Sequence, residues 1–398
     1  MDRIQGEMRV TTKDEYRVVV LEKVKAGTMT LKAAARRLGV SERQAKRLKK
    51  GYRKAGLEGI IHKSRGRRSN RKIDHDFKDQ VIECYQRLYR DFGPTLASET
   101  MLKRNGIKVN RETLRLWLIE AGLWKRARKG KKHRSRRRPR ERFGELVQLD
   151  GSHHDWFEGR RTGSCLMNMV DDATGTTLSL MAEEETTEAA MRVLWLWIEK
   201  YGIPEALYCD FKSVYICDRE PTEAEQLAGK LPLTVFGKAC EKLGIEIVPA
   251  SSPQAKGRVE RNHGVYQDRL VKELRLEGIS TIEGVNTLLR TGFCDELNRK
   301  FAVRPQSAMD AHVPLSKGVR LESIFCTEEN RIVSADWVVR YKNRFFQIQK
   351  SSKPLPRPKN TVVVAKWMDG SVHILFEKKE VRAVEIDTEQ FASLRKEG

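Results

Sequence analysis

Asp150 closes the apolar run "RFGELVQLD", Asp210 closes the short run "EALYCD", and Glu260 lies between Arg258 and Arg261 where a basic helix begins. Singly these residues read as a strand-end turn, a helix cap and a surface ion-pair partner. Brought together, three ionised carboxylates raise one another's proton affinity unless a counter-charge intervenes. Two divalent cations about 3.5–4 Å apart would relieve that repulsion and create a site for phosphoryl transfer. Mg²⁺, a hard ion that prefers oxygen donors and keeps waters available as nucleophiles, suits such ligands, with Mn²⁺ as a substitute. The expectation is two ions per site.

Convergence depends on the elements that carry the acids. "RFGELVQLDGSHHDWF" reads as a strand, "SCLMNMVDDATGTTLSLMAEE" as two strands around the Asp172–Gly175 turn, and "TTEAAMRVLWLWIEKYG" as a helix. A short buried strand ending at Asp210, an amphipathic helix near 234–243, the strand "IEIVPAS" and the helix of Glu260 follow. This order is an α/β plan with a mixed sheet, in which the first and fourth strands can lie side by side and the last helix can pack beside them. Asp155, Asp171 and Asp172 read as ordinary turn acids. His153, His154 and His263 neighbour the acids without the character of metal ligands.

A site for phosphoryl transfer needs a polyanionic substrate, and the composition points to one. Lys and Arg outnumber Asp and Glu by 77 to 54, a net charge of +23, which in a folded protein indicates nucleic acid. Residues 14–54 read as three short helices, with Ser41 capping the third and a Gly39–Val40 turn before it. That is the helix-turn-helix pattern, whose second helix enters the major groove, here with Arg43, Gln44, Lys46 and Arg47 toward DNA. Residues 62–72 then form a basic arm whose Arg65, Arg67 and Arg68 suit a narrow minor groove. A second helical unit spans 74–124, with Asn110 capping its last helix, Leu114, Trp117, Leu118 and Leu123 in its core, and Arg111, Thr113 and Arg115 as DNA contacts. Residues 125–142 carry twelve Lys or Arg and one acid, Arg136, Arg137 and Arg138 among them. Such a density should order along phosphates and make affinity strongly salt dependent.

Other classes are disfavoured. No uncharged apolar run approaches the roughly 18–20 residues of a membrane-spanning helix, and "MDRIQGEMRV" lacks the apolar centre of a secretory signal, so a cytoplasmic, nucleoid-associated protein is expected. The seven cysteines form no C-x-x-C pair, which argues against a disulfide framework or zinc cluster; His62, His75 and Cys84 lack a completing ligand. No small-molecule substrate is expected. Residues 280–312 read as helix up to Arg304–Pro305, and the tail reads as strands around Lys342–Asn343 and Asp369–Gly370 turns, fitting a small β-barrel with Trp337, Tyr341 and Trp367 in its core.

"QLDGSHHDWF", "YCDFKSVY", "SSPQAKGRVERNHG" and "NRKFAVRP" together resemble the DDE transposases of bacterial insertion sequences with a retroviral-integrase-type core, most closely the ISNCY group. The likeness covers nearly the whole chain. It implies a ribonuclease-H-like fold for the core and a catalytic, metal-holding triad at Asp150, Asp210 and Glu260. It also implies binding of double-stranded DNA at the element's terminal inverted repeats, cleavage and strand transfer into target DNA, and a homo-oligomer assembled on that DNA. The gap between the second and third acids is longer than usual in this group, and residues 217–233 look like the insertion responsible. Relatives place Lys or Arg seven positions after the glutamate, where this chain has Gln267. Lys256, Arg258, Arg261 or Arg269 are the candidate substitutes. The resulting division is 1–61 and 74–124 for two helix-turn-helix domains, 62–73 and 125–142 for basic linkers, 143–278 for the catalytic core, 279–317 for a helical extension, and 318–398 for the C-terminal domain.

Overall fold

The computed structural model describes residues 11–62, 65, 73–125, 137–227, 229, 231–250, 256–388 and 390. The chain divides into two compact units, residues 1–130 and 131–398.

The first unit begins with α1 (Thr12–Lys25), α2 (Leu31–Leu38) and α3 (Glu42–Ala55). Thr30 and Ser41 cap α2 and α3 by accepting the amides of Ala33 and Gln44, which satisfies otherwise orphaned donors. Gly39 ends α2 at φ +63°, a left-handed geometry that glycine adopts without penalty. Val20, Val24 and Ala34 form one small core, and Leu21, Leu48 and Ile60 another. The three-helix arrangement repeats as α4 (His75–Leu88), α5 (Pro94–Asn105) and α6 (Arg111–Glu120). Asn110 accepts the Glu112 amide, Leu114 and Leu118 are fully buried, and Trp117 meets Phe77 edge-on. Trp117 and Leu123 are half-buried at the margin of this core.

The second unit is built on a five-stranded mixed sheet. Its strands are β1 (Val147–His153), β2 (Cys165–Asp171), β3 (Thr177–Ala182), β4 (Ala206–Cys209) and β5 (Glu246–Pro249), in the order β3-β2-β1-β4-β5. β1, β2 and β3 are antiparallel, whereas β4 and β5 run parallel to β1. Helix α7 (Thr187–Tyr201) and, beyond the short α8 (Glu223–Leu227), α9 (Val235–Leu243) cover one face. Alternation along β1 sends Val147 and Leu149 into that core. The opposite face receives α10 (Gly257–Leu276), α11 (Ile282–Leu288) and α12 (Cys294–Phe301), with Tyr266, Leu270 and Leu297 packed against Leu166 and Met181.

The helix expected up to Arg304–Pro305 ends at Phe301, after a π-helical turn at Leu289–Phe293 that joins α11 to α12. Beyond it the chain is held as a strap by backbone bonds: Val303 N–H to Thr174, Ser307 to Glu141, Ala311 to Phe143, and a reciprocal pair between Ile203 and Val313. Pro305 has no amide to continue a helix, and these extended contacts satisfy the backbone instead.

After α13 (Leu321–Ile324), the tail forms β6 (Cys326–Ile332), β7 (Val338–Tyr341), β8 (Arg344–Ile348), β9 (Thr361–Trp367), β10 (Val372–Phe376), β11 (Lys379–Val381) and β12 (Ala383–Ile386). The expected turns are present, with Lys342 at φ +53° and Gly370 at φ +88°. The strands form two sheets, β11-β10-β9-β6 and β12-β8-β7, around a common core that includes Val339, Phe346, Val364 and Ile374. The hydrogen bonding among the described residues is thus that of two sheets and not of one closed ladder. Tyr341 is buried as expected. Trp337 is 39% exposed, because at φ +56° its ring lies at the edge and donates Nε1–H to the Pro356 carbonyl.

Candidate active site

Register decides where the first two acids meet. Val147 pairs with Leu207 and Gln148 with Tyr208 across the parallel β1–β4 ladder. The same offset carried along the strands sets Asp150 level with Asp210, just past the end of β4. Between the two carboxylates lies the ammonium of Lys256, 3.0 Å from Asp150 Oδ1 and 2.8 Å from Asp210 Oδ1. Lys256 is only 3% exposed. His263, one face of α10 further on, places Nδ1 3.9 Å from Asp150 Oδ2. Burial lowers the His263 pKa, against the opposing pull of Asp150, so the ring is neutral near pH 7.

Glu260 lies in the first turn of α10 with an exposed side chain. The structure brings Asp150 and Asp210 onto one cation, while Glu260 is exposed on the helix turn that follows Lys256. What fixes that turn is a buried network. Gln148, on the same face of β1 as Asp150, accepts the Val259 amide at 3.1 Å and donates Nε2–H to Asp172 at 2.9 Å. Asp172 also receives Arg258 Nε at 2.9 Å, the Arg140 amide at 2.8 Å and the Arg137 guanidinium. Asn168 on β2 reaches Asn262 on α10 at 2.8 Å. The start of α10 is therefore tied to the strand that carries Asp150.

Asp171 and Asp172, expected as plain turn acids, have no exposed surface. Asp171 accepts the Gly144 and Thr174 amides and the Thr174 hydroxyl, while burial raises its pKa. Nothing in residue type distinguishes a solvated turn acid from a buried one, and the arginines that hold Asp172 lie 35 and 86 positions away. Asp155 is as expected, exposed and accepting the Gly159 amide within its turn. His154 is exposed and edge-on to Trp156.

The Asp150–Asp210 pair fits a hard divalent cation: two oxygen donors from different strands already converge on one positive charge. A second donor set, His153, Cys165 and Glu185, also lies close together. It is a poor match to such an ion. Burial pushes the Cys165 thiol up to about 12, and the Glu185 carboxylate is taken by Lys212 at 2.5 Å and Tyr215 at 2.9 Å. All seven cysteines are free of disulfides, six of them buried.

Of the residues expected to meet DNA, Arg43, Gln44, Lys46 and Arg47 are exposed on α3, and Arg111, Arg138 and Arg261 are exposed elsewhere. Thr113 is half-buried. Arg115 makes a two-pronged contact with Glu112 of its own helix. Arg65 turns back onto the buried Asp14, and Arg137 and Arg258 hold Asp172. Arg67, Arg68 and Arg136 lie outside the described residues. Gln267 donates to Ser152 of β1 at 3.4 Å, and Arg269 lies over the Phe301 ring.

Residues 17–68 match the family model of a helix-turn-helix domain. Over 348 residues the chain is 38% identical to y4bF of Sinorhizobium fredii, named as a transposase, covering 87% of this chain and 75% of that protein. The chain belongs to the insertion-sequence transposases. This transposase is also 28% identical, over 417 aligned positions, to the transposase for insertion sequence IS1202 of Streptococcus pneumoniae, with 94% of this chain and 87% of that one covered. Among solved structures it is similar to a chain of the simian T-cell lymphotropic virus intasome, at 16% identity and a TM-score of 0.32, covering 76% of this chain and 99% of that one. It is also similar to the HTLV-2 integrase catalytic core in complex with magnesium, at 17% and 0.27, covering 37% and 84%. At these scores the fold stands on the strand order alone. No helix among the described residues of the transposase is long and apolar enough to cross a membrane.

Proposed function

We propose that this transposase acts as a DDE-type polynucleotidyl transferase. It binds the terminal inverted repeats of its element, cleaves the DNA at their ends and joins the released 3′-hydroxyl to target DNA. The reading rests on one observation above all, the Asp150 and Asp210 carboxylates sharing a single cation at 3.0 and 2.8 Å. Asp150 and Asp210 would share two divalent ions, Mg²⁺ or Mn²⁺, with Glu260 completing the second site, and bound there the ions would supply Lewis acidity toward the scissile phosphate. The chain's own part is positional. Parallel pairing of β1 and β4 keeps the two aspartates level, and Gln148 and Asp172 hold the first turn of α10, which carries Glu260. His263 stands beside Asp150, its Nδ1 3.9 Å from Oδ2.

DNA is brought to the site by charge. The exposed Arg43, Lys46 and Arg47 of α3 suit a major groove, residues 74–124 supply a second helical reader, and the tracts at 62–73 and 125–142 follow phosphates. Two ends must be handled together, so a homo-oligomer on DNA is part of the reading.

Paired end fragments incubated with Mg²⁺ and a supercoiled target test it. Wild type should both nick the ends and join them, and Asp150→Asn, Asp210→Asn and Glu260→Gln should each abolish both steps while leaving end binding intact. Cutting without joining would instead mark a nuclease, and binding without cutting a DNA-bound regulator. Full joining by Asp150→Asn would sink the triad.

A further inference from the structure

The position of Lys256 is unusual for a residue at the mouth of a DNA-handling site. Basic residues that meet phosphates are solvent-facing, yet this one is 3% exposed and its ammonium points inward between two acids. Neither contact has the angular geometry of a hydrogen bond, for the Nζ atom has no hydrogen-bond partner among the described residues. Among the described residues the nitrogen is thus held by the charge of the two carboxylates. Burying a lysine costs several kcal/mol unless opposite charge compensates, and here two carboxylates do so.

We propose that Lys256 is the built-in counter-cation of the Asp150–Asp210 pair, and that a divalent metal loads only by displacing it. The inference rests on the metal reading of that pair. Without the ammonium, the two level carboxylates would repel one another across the ends of β1 and β4. With it, the pair is preassembled and neutralised in part, at the expense of metal affinity, because ammonium and metal compete for the same oxygens. Lys256 precedes α10 directly, and the helix start is anchored by Val259 on Gln148 and Arg258 on Asp172. The side chain can therefore leave without moving the helix. Its four-carbon stem then carries a positive charge to the rim, where a phosphate is the natural acceptor. Metal entry and phosphate capture become one exchange: DNA that attracts the displaced ammonium favours the loaded state. Lys256 is a positioning residue in this scheme, with its effect exerted through the two aspartates.

Mn²⁺ binding to the DNA-free full chain, followed by the electron paramagnetic resonance signal of free Mn²⁺, tests the exchange, with thermal unfolding in EDTA as a second readout. Lys256→Met should bind Mn²⁺ about tenfold more tightly than wild type and unfold at a lower temperature in EDTA, a deficit that saturating Mn²⁺ removes. Lys256→Gln, which keeps a polar end without charge, should do the same if the Met variant fails to fold. Lys256→Arg should bind Mn²⁺ no more tightly than wild type. Unchanged or weaker Mn²⁺ binding by both neutral variants, with Asp150→Asn abolishing it, would overturn this inference alone. Binding that Asp150→Asn does not diminish, or no binding by any variant, would overturn the metal reading of the pair and this inference with it.

Discussion

Arg258 donates its Nε to Asp172 Oδ1 at 2.9 Å, so the helix turn that presents Glu260 is fastened to a carboxylate with no solvent exposure. The same carboxylate takes Gln148 Nε2 and the Arg137 guanidinium. One acid thus joins the strand of Asp150, the helix of Glu260 and the end of the basic tract.

Asp172→Ala should therefore cost both stability and catalysis. Breaking a buried ion pair costs about 3–5 kcal/mol, and because Arg137 and Arg258 retain access to water the value should fall near the lower end. Urea unfolding of the purified chain measures it. Strand transfer should fall more than end binding does, and equal loss of both would argue against a positioning role.

Gly151→Ala places a methyl where there is no room. A Cβ at residue 151 would stand 2.6 Å from Glu185 Oε2 and 2.9 Å from Cys165 Sγ, and Glu185 is pinned by Lys212 and Tyr215. Overpacking of this kind costs about 1–3 kcal/mol. The strain falls next to Asp150, so cleavage rates should drop while binding of the ends, measured by gel shift, stays near wild type.

Replacing Arg43 and Arg47 by alanine should weaken binding of the terminal repeats. If both meet phosphates, the slope of log affinity against log salt becomes shallower by about 0.9 for each lost contact. An unchanged slope together with relaxed sequence preference would assign them to bases instead.

The N-terminal unit should weaken in acid. Asp14 is held well below the usual carboxylate range, chiefly by the Arg65 guanidinium and the Thr11 hydroxyl. A depressed folded pKa contributes stability that is present above the unfolded value of about 3.9 and is lost as pH falls below it. Circular dichroism melts between pH 5 and pH 2 should show this loss in wild type, and Asp14→Asn should flatten it while lowering the melting temperature at pH 7.

Periodicity carried much of this molecule into view. The alternation along "LVQLDGSH" and the near-continuous apolar run of "CLMNMV" gave the sheet, and the order of elements gave the adjacency of β1 and β4 that makes Asp150 and Asp210 neighbours. Capping residues Ser41 and Asn110 marked helix starts correctly. What stayed hidden depended on partners distant in sequence. Asp171 and Asp172 look like turn residues until Gly144, Arg137 and Arg258 are seen around them. Lys256 looks like one more surface lysine until the register of two strands is known. Arg65 counted as a DNA contact by composition, yet a buried Asp14 claims it. The strap after Phe301 makes backbone bonds to three separate segments, which local propensity does not register.

That strap sets how short the second unit can be made. His312 accepts the indole N–H of Trp197 at 3.0 Å and meets the Phe143 ring at 4.6 Å, while Val285, Leu289 and Leu297 complete the packing of α10. A fragment cut at Gly278 would keep all three acids and lose part of the packing of the sheet and of α10, baring a tryptophan on one side and an apolar helix flank on the other. The smallest self-sufficient piece is thus set by the return of the chain to its own starting edge at Val313, 37 residues past the end of α10 at Leu276.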